Sequence, residues 1–105
     1  MGVGCDIVLM DRIHDEPAFV EKILSSKEQI FYAKRTNKIE FLAGHFAAKE
    51  AFMKALGTGM VGVPFNAVEI LYRETGAPYI VYNGKQYPCS ISHDGGYAMA
   101  VVIIS

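Results

Sequence analysis

The sequence of 105 residues lacks several features that would place it in a specialised class of protein. It has no apolar run long enough to span a bilayer and no N-terminal signal pattern, so we expect a cytoplasmic protein without a membrane contact. Its formal net charge of -1 argues against a nucleic-acid-binding protein. Internal repeats and low-complexity tracts are also missing, so the pattern is that of an ordinary globular chain.

Cysteine is scarce. The two cysteines, Cys5 and Cys89, lie far apart in the sequence, each within an apolar, strand-like segment. We expect two buried thiols in a reducing cytosol rather than a disulfide framework.

Apolar residues, in contrast, are plentiful at 51% of the chain. The length suits one domain over residues 1–105. A monomer of this size should not expose so much apolar surface, which indicates contacts between subunits.

One stretch dominates the pattern, residues 41–59, which read FLAGHFAAKEAFMKALGTG. It consists of good helix formers, contains no proline and is apolar nearly all round, which predicts a buried helix. Four polar side chains interrupt it: His45, Lys49, Glu50 and Lys54. Glu50 and Lys54 have the spacing of an ion pair. His45 and Lys49 indicate either a nearby anionic ligand or an ion-pair network between helices, because unpaired charges are rarely buried.

Residues 2–9 alternate as a strand with Asp6 in its middle and Gly4 on the same face. Aspartate is disfavoured inside strands, so we favour a ligand-binding role for Asp6 over a hydrogen bond to a neighbouring loop. Glycine at position 4 would let another backbone or a ligand approach closely.

The remaining pattern predicts helices at 17–24 and from about 26 to 34, and strands at 67–73, 78–82, 89–93 and 97–104, with an Asn83-Gly84 hairpin turn. Together these elements predict an α+β fold with a mainly antiparallel sheet packed against the long central helix.

Three segments resemble the holo-acyl-carrier-protein synthases of the 4′-phosphopantetheinyl transferase superfamily: GCDIV with DRI, FAAKEAFMKALGTG and SISHDGGYAMA. The resemblance implies that family's fold and its reaction in fatty acid biosynthesis. Phosphopantetheine would move from coenzyme A to a serine of an acyl carrier protein, with Mg²⁺ as cofactor and adenosine 3′,5′-bisphosphate as product. It also implies a homotrimer with active sites between subunits.

The resemblance also implies residue roles. Asp6 and Glu50 would hold Mg²⁺, and Lys54 would face the pyrophosphate, either stabilising its charge or protonating the leaving group. The general base stays open between Glu50 and a metal-bound water. Lys49 belongs to the same motif and would contact coenzyme A or hold the helix against a neighbouring subunit.

Further residues match the motifs that surround coenzyme A and the carrier protein. The coenzyme A set comprises His45, Gly57, Thr58, Gly59, Ser90, Ser92 and His93, and Arg12 matches a basic residue that faces the acidic carrier helix. Simpler roles are open for some of these residues. Residues 57–59 could end the helix, His93 could contact a turn, and Arg12 could form a surface ion pair.

The sequence departs from the family pattern at three places. Leu9 replaces a frequent glutamate, and His45 replaces a frequent arginine. The four residues between Lys85 and Ser90 leave no room for a helix that family members usually have there. These departures keep a second hypothesis open, a non-catalytic domain that binds coenzyme A or an acyl carrier protein.

Overall fold

The computed structural model describes residues 2–57 and 62–105. Within them, the chain forms strand β1 (Gly2–Leu9), helices α1 (Pro17–Ile23), α2 (Ser26–Ala33) and α3 (Lys38–Leu56), and strands β2 (Glu69–Tyr72), β3 (Pro78–Tyr82), β4 (Lys85–Asp94) and β5 (Tyr97–Ile104). The strands are ordered β1-β5-β4-β3-β2, and each pairs antiparallel with its neighbour. The predicted α+β architecture is therefore confirmed.

Helix α3 begins three residues before the predicted start. The Asn37 side chain accepts a hydrogen bond from the Glu40 backbone N–H at 3.0 Å, and so caps the first turn. The helix ends at Leu56 because Gly57 adopts a left-handed conformation with φ of 78°. As predicted, most of α3 is buried, and it forms the centre of the core against the sheet.

Strand β1 lies unusually close to α3. A Cβ atom at Gly4 would lie 1.8 Å from the carbonyl oxygen of Ala51, and one at Gly2 would lie 2.3 Å from that of Ala55. Only glycine allows this approach, so the predicted reason for Gly4 is correct, and the approaching backbone is that of α3. The contact brings the inner face of β1, which includes Asp6, against the C-terminal half of α3.

The outer face of β1 and β5 is apolar and exposed. Val3 pairs with Ile103 and Ile7 with Met99, and Val3 and Ile7 are each 65% exposed. Cys5 lies on the same face and is exposed, so the prediction that it is buried is wrong. Cys89 is partly buried, which raises the pKa of its thiol to about 11.

Strand β4 is longer than predicted, starting at Lys85 instead of Cys89. Its first half pairs with β3, up to the pair of Tyr79 with Pro88, and its second half pairs with β5 from Cys89 onward. Pro88 therefore lies where the strand changes partner, a position at which the missing N–H disrupts the ladder least. In the described part of the chain, no helix combines the length and the apolar character needed to cross a membrane.

Candidate active site

Three of the predicted site residues meet where β1 crosses the end of α3. The ammonium group of Lys54 donates to the Asp6 carboxylate at 3.0 Å and to the backbone oxygen of Cys5 at 3.1 Å. Lys54 is 56% exposed and Asp6 14% exposed, so the pair lies at the surface and is open to a ligand. The predicted pairing of Lys54 with Glu50 is replaced by this contact between helix and strand.

Glu50 lies one turn before Lys54 and is close enough to Asp6 for their charges to interact. Partial burial raises the pKa of Glu50, the negative charge of Asp6 raises it further, and Lys54 opposes the shift. The hydrogen bond and charge of Asp6 raise the pKa of Lys54 in turn. Lys54 therefore carries its positive charge throughout the neutral pH range, while the negative charges of Asp6 and Glu50 repel each other.

This donor set fits Mg²⁺. The ion usually takes one or two carboxylates and completes its octahedral shell with water and phosphate oxygens. A divalent cation would also relieve the repulsion between Asp6 and Glu50. No group of three or more His, Cys, Asp or Glu side chains with metal-binding geometry occurs in residues 2–57 and 62–105, so these two carboxylates would need ligands from substrate or solvent.

Lys49 and His45, also on α3, lie in a buried network centred on Glu28. One carboxylate oxygen of Glu28 accepts from the Lys49 ammonium at 2.6 Å and from the Ser25 N–H at 3.0 Å. The other contacts His45 Nδ1 at 2.5 Å and accepts from the Ile70 N–H at 3.3 Å. The network therefore joins α2, α3 and β2.

Further contacts complete this network. Lys49 also donates to the carbonyl oxygen of Ile23, and His45 Nε2 lies 2.7 Å from the Tyr72 hydroxyl. Burial lowers the pKa of His45 more than Glu28 raises it, so the ring is neutral, with Nδ1–H donating to Glu28 and Nε2 accepting from Tyr72. Burial also raises the pKa of Tyr72 to about 12, which keeps its hydroxyl protonated as that donor.

The hydrogen-bond partners of Lys49 and His45 lie inside the protein, and His45 also lines the cavity described below. Coenzyme A binding by these two residues stays a prediction. Lys49 has no exposed surface and His45 is 1% exposed, and both are committed to partners inside the protein. The alternative of an ion-pair network between helices describes them correctly. The anion that they indicated is the side chain of Glu28.

His93 lies at a separate cavity of about 270 Å³ between the first half of α3 and strand β4. Its imidazole faces Gly44, and its Nδ1 lies 3.8 Å from a Glu40 oxygen. Arg35 and Tyr72 also line this cavity. It therefore combines cationic and aromatic groups, the chemistry that suits a nucleotide phosphate and a base.

The remaining predicted residues do not gather at this cavity. Ser90 and Ser92 alternate with Ile91 and His93 along β4, so they face the outer side of the sheet. Arg12 is exposed at the end of a short 3-10 segment after β1, and Gly57 ends α3. Thr58 and Gly59 lie outside the described residues.

Sequence reasoning missed Glu28 as a network member; in the structure, Glu28 also forms a capping box with Ser25. A usable signal was present. Two cationic residues on a helix with no polar face require a buried acid, and Glu28 is an acidic residue within a predicted neighbouring helix. Tyr72 carried no comparable signal, because a tyrosine in a strand is common.

Comparisons with known proteins relate the chain to one family. Residues 2–102 match the family described as the 4′-phosphopantetheinyl transferase superfamily. A holo-[acyl-carrier-protein] synthase of Anoxybacillus flavithermus is 44% identical over 113 aligned positions, which cover 99% of this chain and 94% of the relative. The corresponding protein of Staphylococcus aureus strain Newman is 45% identical over 111 positions, covering 98% and 93%.

Solved structures of holo-[acyl-carrier-protein] synthases are also similar to this chain. The holo-[acyl-carrier-protein] synthase of Helicobacter pylori in complex with coenzyme A has a TM-score of 0.88 at 33% identity and covers 98% of this chain and 99% of that one. The Bacillus anthracis synthase in complex with CoA (3′,5′-ADP) has a TM-score of 0.86 at 36% identity, covering 96% and 92%. The 113 aligned positions of the Anoxybacillus relative exceed the 105 residues here, so at least eight of them have no counterpart in this chain.

Proposed function

The chain belongs to the 4′-phosphopantetheinyl transferase superfamily, and we propose that it transfers 4′-phosphopantetheine from coenzyme A to a serine of apo acyl carrier protein. The family resemblance of the sequence motifs is thereby confirmed. The observation that carries the proposal is the convergence of Asp6, Glu50 and Lys54 where β1 meets α3. A domain that only binds coenzyme A would not need this group, so the non-catalytic alternative is not favoured.

Asp6 and Glu50 are proposed as the Mg²⁺ ligands. Bound there, the ion would neutralise charge on the pyrophosphate of coenzyme A, which is the main requirement of phosphoryl transfer. The support is the chemistry of the donor set and the raised pKa of Glu50, which results first from partial burial and then from the negative charge of Asp6. Because Asp6 stands on a strand and Glu50 on a buried helix, both carboxylates are held on rigid elements.

Lys54 is proposed as an electrostatic stabiliser of the phosphoryl group rather than as a proton donor. Its contact with Asp6 raises the pKa of the ammonium, so giving up a proton is disfavoured. Its exposed position leaves donor capacity for a phosphate oxygen of coenzyme A. Arginine at this position should therefore retain part of the activity that alanine loses.

The cavity beside His93 is proposed as the place of the coenzyme A nucleotide. His93 would contact a phosphate, and Arg35 and Tyr72 would supply further charge and an aromatic surface. Gly57, at the end of α3 on the Lys54 side, would border the pantetheine diphosphate. His45 also lines this cavity, and Lys49 would support it through the buried Glu28 carboxylate that both residues contact.

The proposal also includes a contact with the carrier protein and an assembly of subunits. Arg12 is exposed beyond the end of β1 and would contact an acidic helix of the acyl carrier protein. The exposed apolar face of β1 and β5 supports a homotrimer in which this face contacts a second subunit. Ser90 and Ser92, on the outer side of the sheet, would then reach the active site of a neighbouring subunit. We also propose a cytoplasmic location, in keeping with coenzyme A as the substrate.

Intact mass spectrometry of an apo acyl carrier protein tests the proposal. Incubation with the chain, coenzyme A and Mg²⁺ should add the mass of one phosphopantetheine, and EDTA should abolish the gain. Glu50→Gln should give no gain while keeping the circular dichroism of the folded chain. Glu21→Gln, an exposed position on α1, is the matched control and should retain activity. Full activity of Glu50→Gln would remove this residue from the metal site.

A further inference from the structure

The first turns of α3 present Glu40 and Gly44 on one face, because residues four apart lie above each other on a helix. Strand β4 crosses this face. A Cβ atom added at Gly44 would lie 3.0 Å from Cγ2 of Ile91 and 3.3 Å from Nε2 of His93. Glycine at position 44 therefore provides a surface on which the imidazole of His93 rests.

The Glu40 carboxylate is itself oriented. One of its oxygens, Oε2, accepts a hydrogen bond from the side-chain amide of Asn37 at 3.4 Å, while Asn37 accepts from the Glu40 backbone N–H. The other oxygen, Oε1, faces Nδ1 of His93 at 3.8 Å, which is the distance of an ion pair. The cap of the helix therefore aims one carboxylate oxygen at the histidine.

From this arrangement we infer that Glu40 is a positioning residue for His93 and directs its Nε2 edge to the phosphate of coenzyme A. The carboxylate oxygen beside Nδ1 holds the orientation of the ring, so that Nε2 stays over Gly44 at the cavity. Nε2 is then the ring nitrogen that a phosphate in the cavity would meet. The inference rests on the proposed function, since it requires that His93 contacts coenzyme A.

The variant Glu40→Gln separates this role from helix capping. Glutamine keeps an amide oxygen that accepts from Asn37, but it lacks the negative charge. For a partly exposed ion pair, we expect the KM for coenzyme A to rise about two- to fivefold with kcat nearly unchanged. Asp94→Asn is the matched control, because it removes a carboxylate from the neighbouring residue on β4, and it should leave the KM unchanged.

A double-mutant cycle with His93→Gln tests whether Glu40 acts through the histidine. In the His93→Gln background, Glu40→Gln should have no effect on the KM for coenzyme A. The same two- to fivefold rise in both backgrounds would overturn the inference. A fall in the KM of Glu40→Gln alone would also overturn the inference, because it would mean that Glu40 only repels the phosphate.

Nitrogen-15 spectra of the imidazole rings give a readout that does not depend on catalysis. In the full chain, Glu40→Gln should shift the Nδ1 resonance of His93, because the variant removes the carboxylate charge that lies 3.8 Å from this nitrogen. Unchanged spectra would refute the positioning contact. If the spectra shift but His93→Gln leaves coenzyme A binding intact, the contact exists and the nucleotide site of the proposed function is wrong, so the inferred role falls with it.

Discussion

Replacing Lys49 by methionine should unfold the chain far more readily than the same replacement at Lys54. Lys49 has no exposed surface, and its removal leaves the Glu28 carboxylate buried without the ammonium that balances its charge, because His45 is neutral. Removing one partner of a buried ion pair typically costs about 3–5 kcal/mol, against a total stability of about 5–15 kcal/mol for a domain. At about 4–8 °C per kcal/mol, the melting temperature should fall by at least about 12 °C.

Urea unfolding at one fixed protein concentration measures this loss, since any assembly would make stability depend on concentration. Lys54→Met is the matched control on the same helix, and because Lys54 is exposed we expect little change in its urea midpoint. Adding Glu28→Gln to Lys49→Met should cost much less than Glu28→Gln alone, because no buried charge would remain unpaired. Equal losses for the two lysine variants, or strictly additive costs of Lys49→Met and Glu28→Gln, would refute this account of the network.

Three further predictions concern the fold, its pH dependence and its assembly. Gly4→Ala should lower the free energy of unfolding, measured with urea, by more than about 3 kcal/mol, because its Cβ would overlap the backbone of Ala51. A small loss would mean that β1 and α3 can move apart at little cost in free energy. Stability should fall as pH drops below about 6.5, because the unfolded state then protonates His45 while burial lowers its pKa in the folded state; urea midpoints of His45→Gln should fall less over that range, and a parallel fall would exclude His45 as the cause. Ile7→Lys, on the exposed face of β1, should reduce the mass measured by light scattering from that of the proposed trimer to that of a monomer, and equal masses for the wild type and the variant would contradict the proposed contact.

The sequence predicted the strands that alternate clearly. The bounds of β1, β3 and β5 agree with the structure to the residue, because each has a regular pattern and a turn signal at its end. The errors have local causes. Pro88 made the first half of β4 look like a break, although it lies where the strand changes partner. The start of α3 was placed late because the cap formed by Asn37 was not recognised.

The site was harder to predict than the fold, since it depends on which way each polar side chain of α3 points. The motif alone grouped Lys49, Glu50 and Lys54, and the choice between an external anion and an internal partner required the position of α2. Because Glu28 lies beside α3, its carboxylate contacts both Lys49 and His45 and so allows these two side chains to be buried. Such a contact between helices is set by tertiary packing and leaves no periodic signal in the sequence.

Lys49 and Lys54 explain how helix α3 serves both the core and the surface site. Positions 49 and 54 are five residues apart, which corresponds to a rotation of about 140° around the helix axis. One ammonium therefore points toward α2 and β2, where Glu28 buries it, and the other points toward β1, where Asp6 holds it at the surface. Glu50 follows Lys49 directly and lies one turn before Lys54, so its carboxylate belongs to the surface side. A change at Lys49 should consequently act on the free energy of unfolding, and one at Lys54 on turnover, although both residues belong to one short motif.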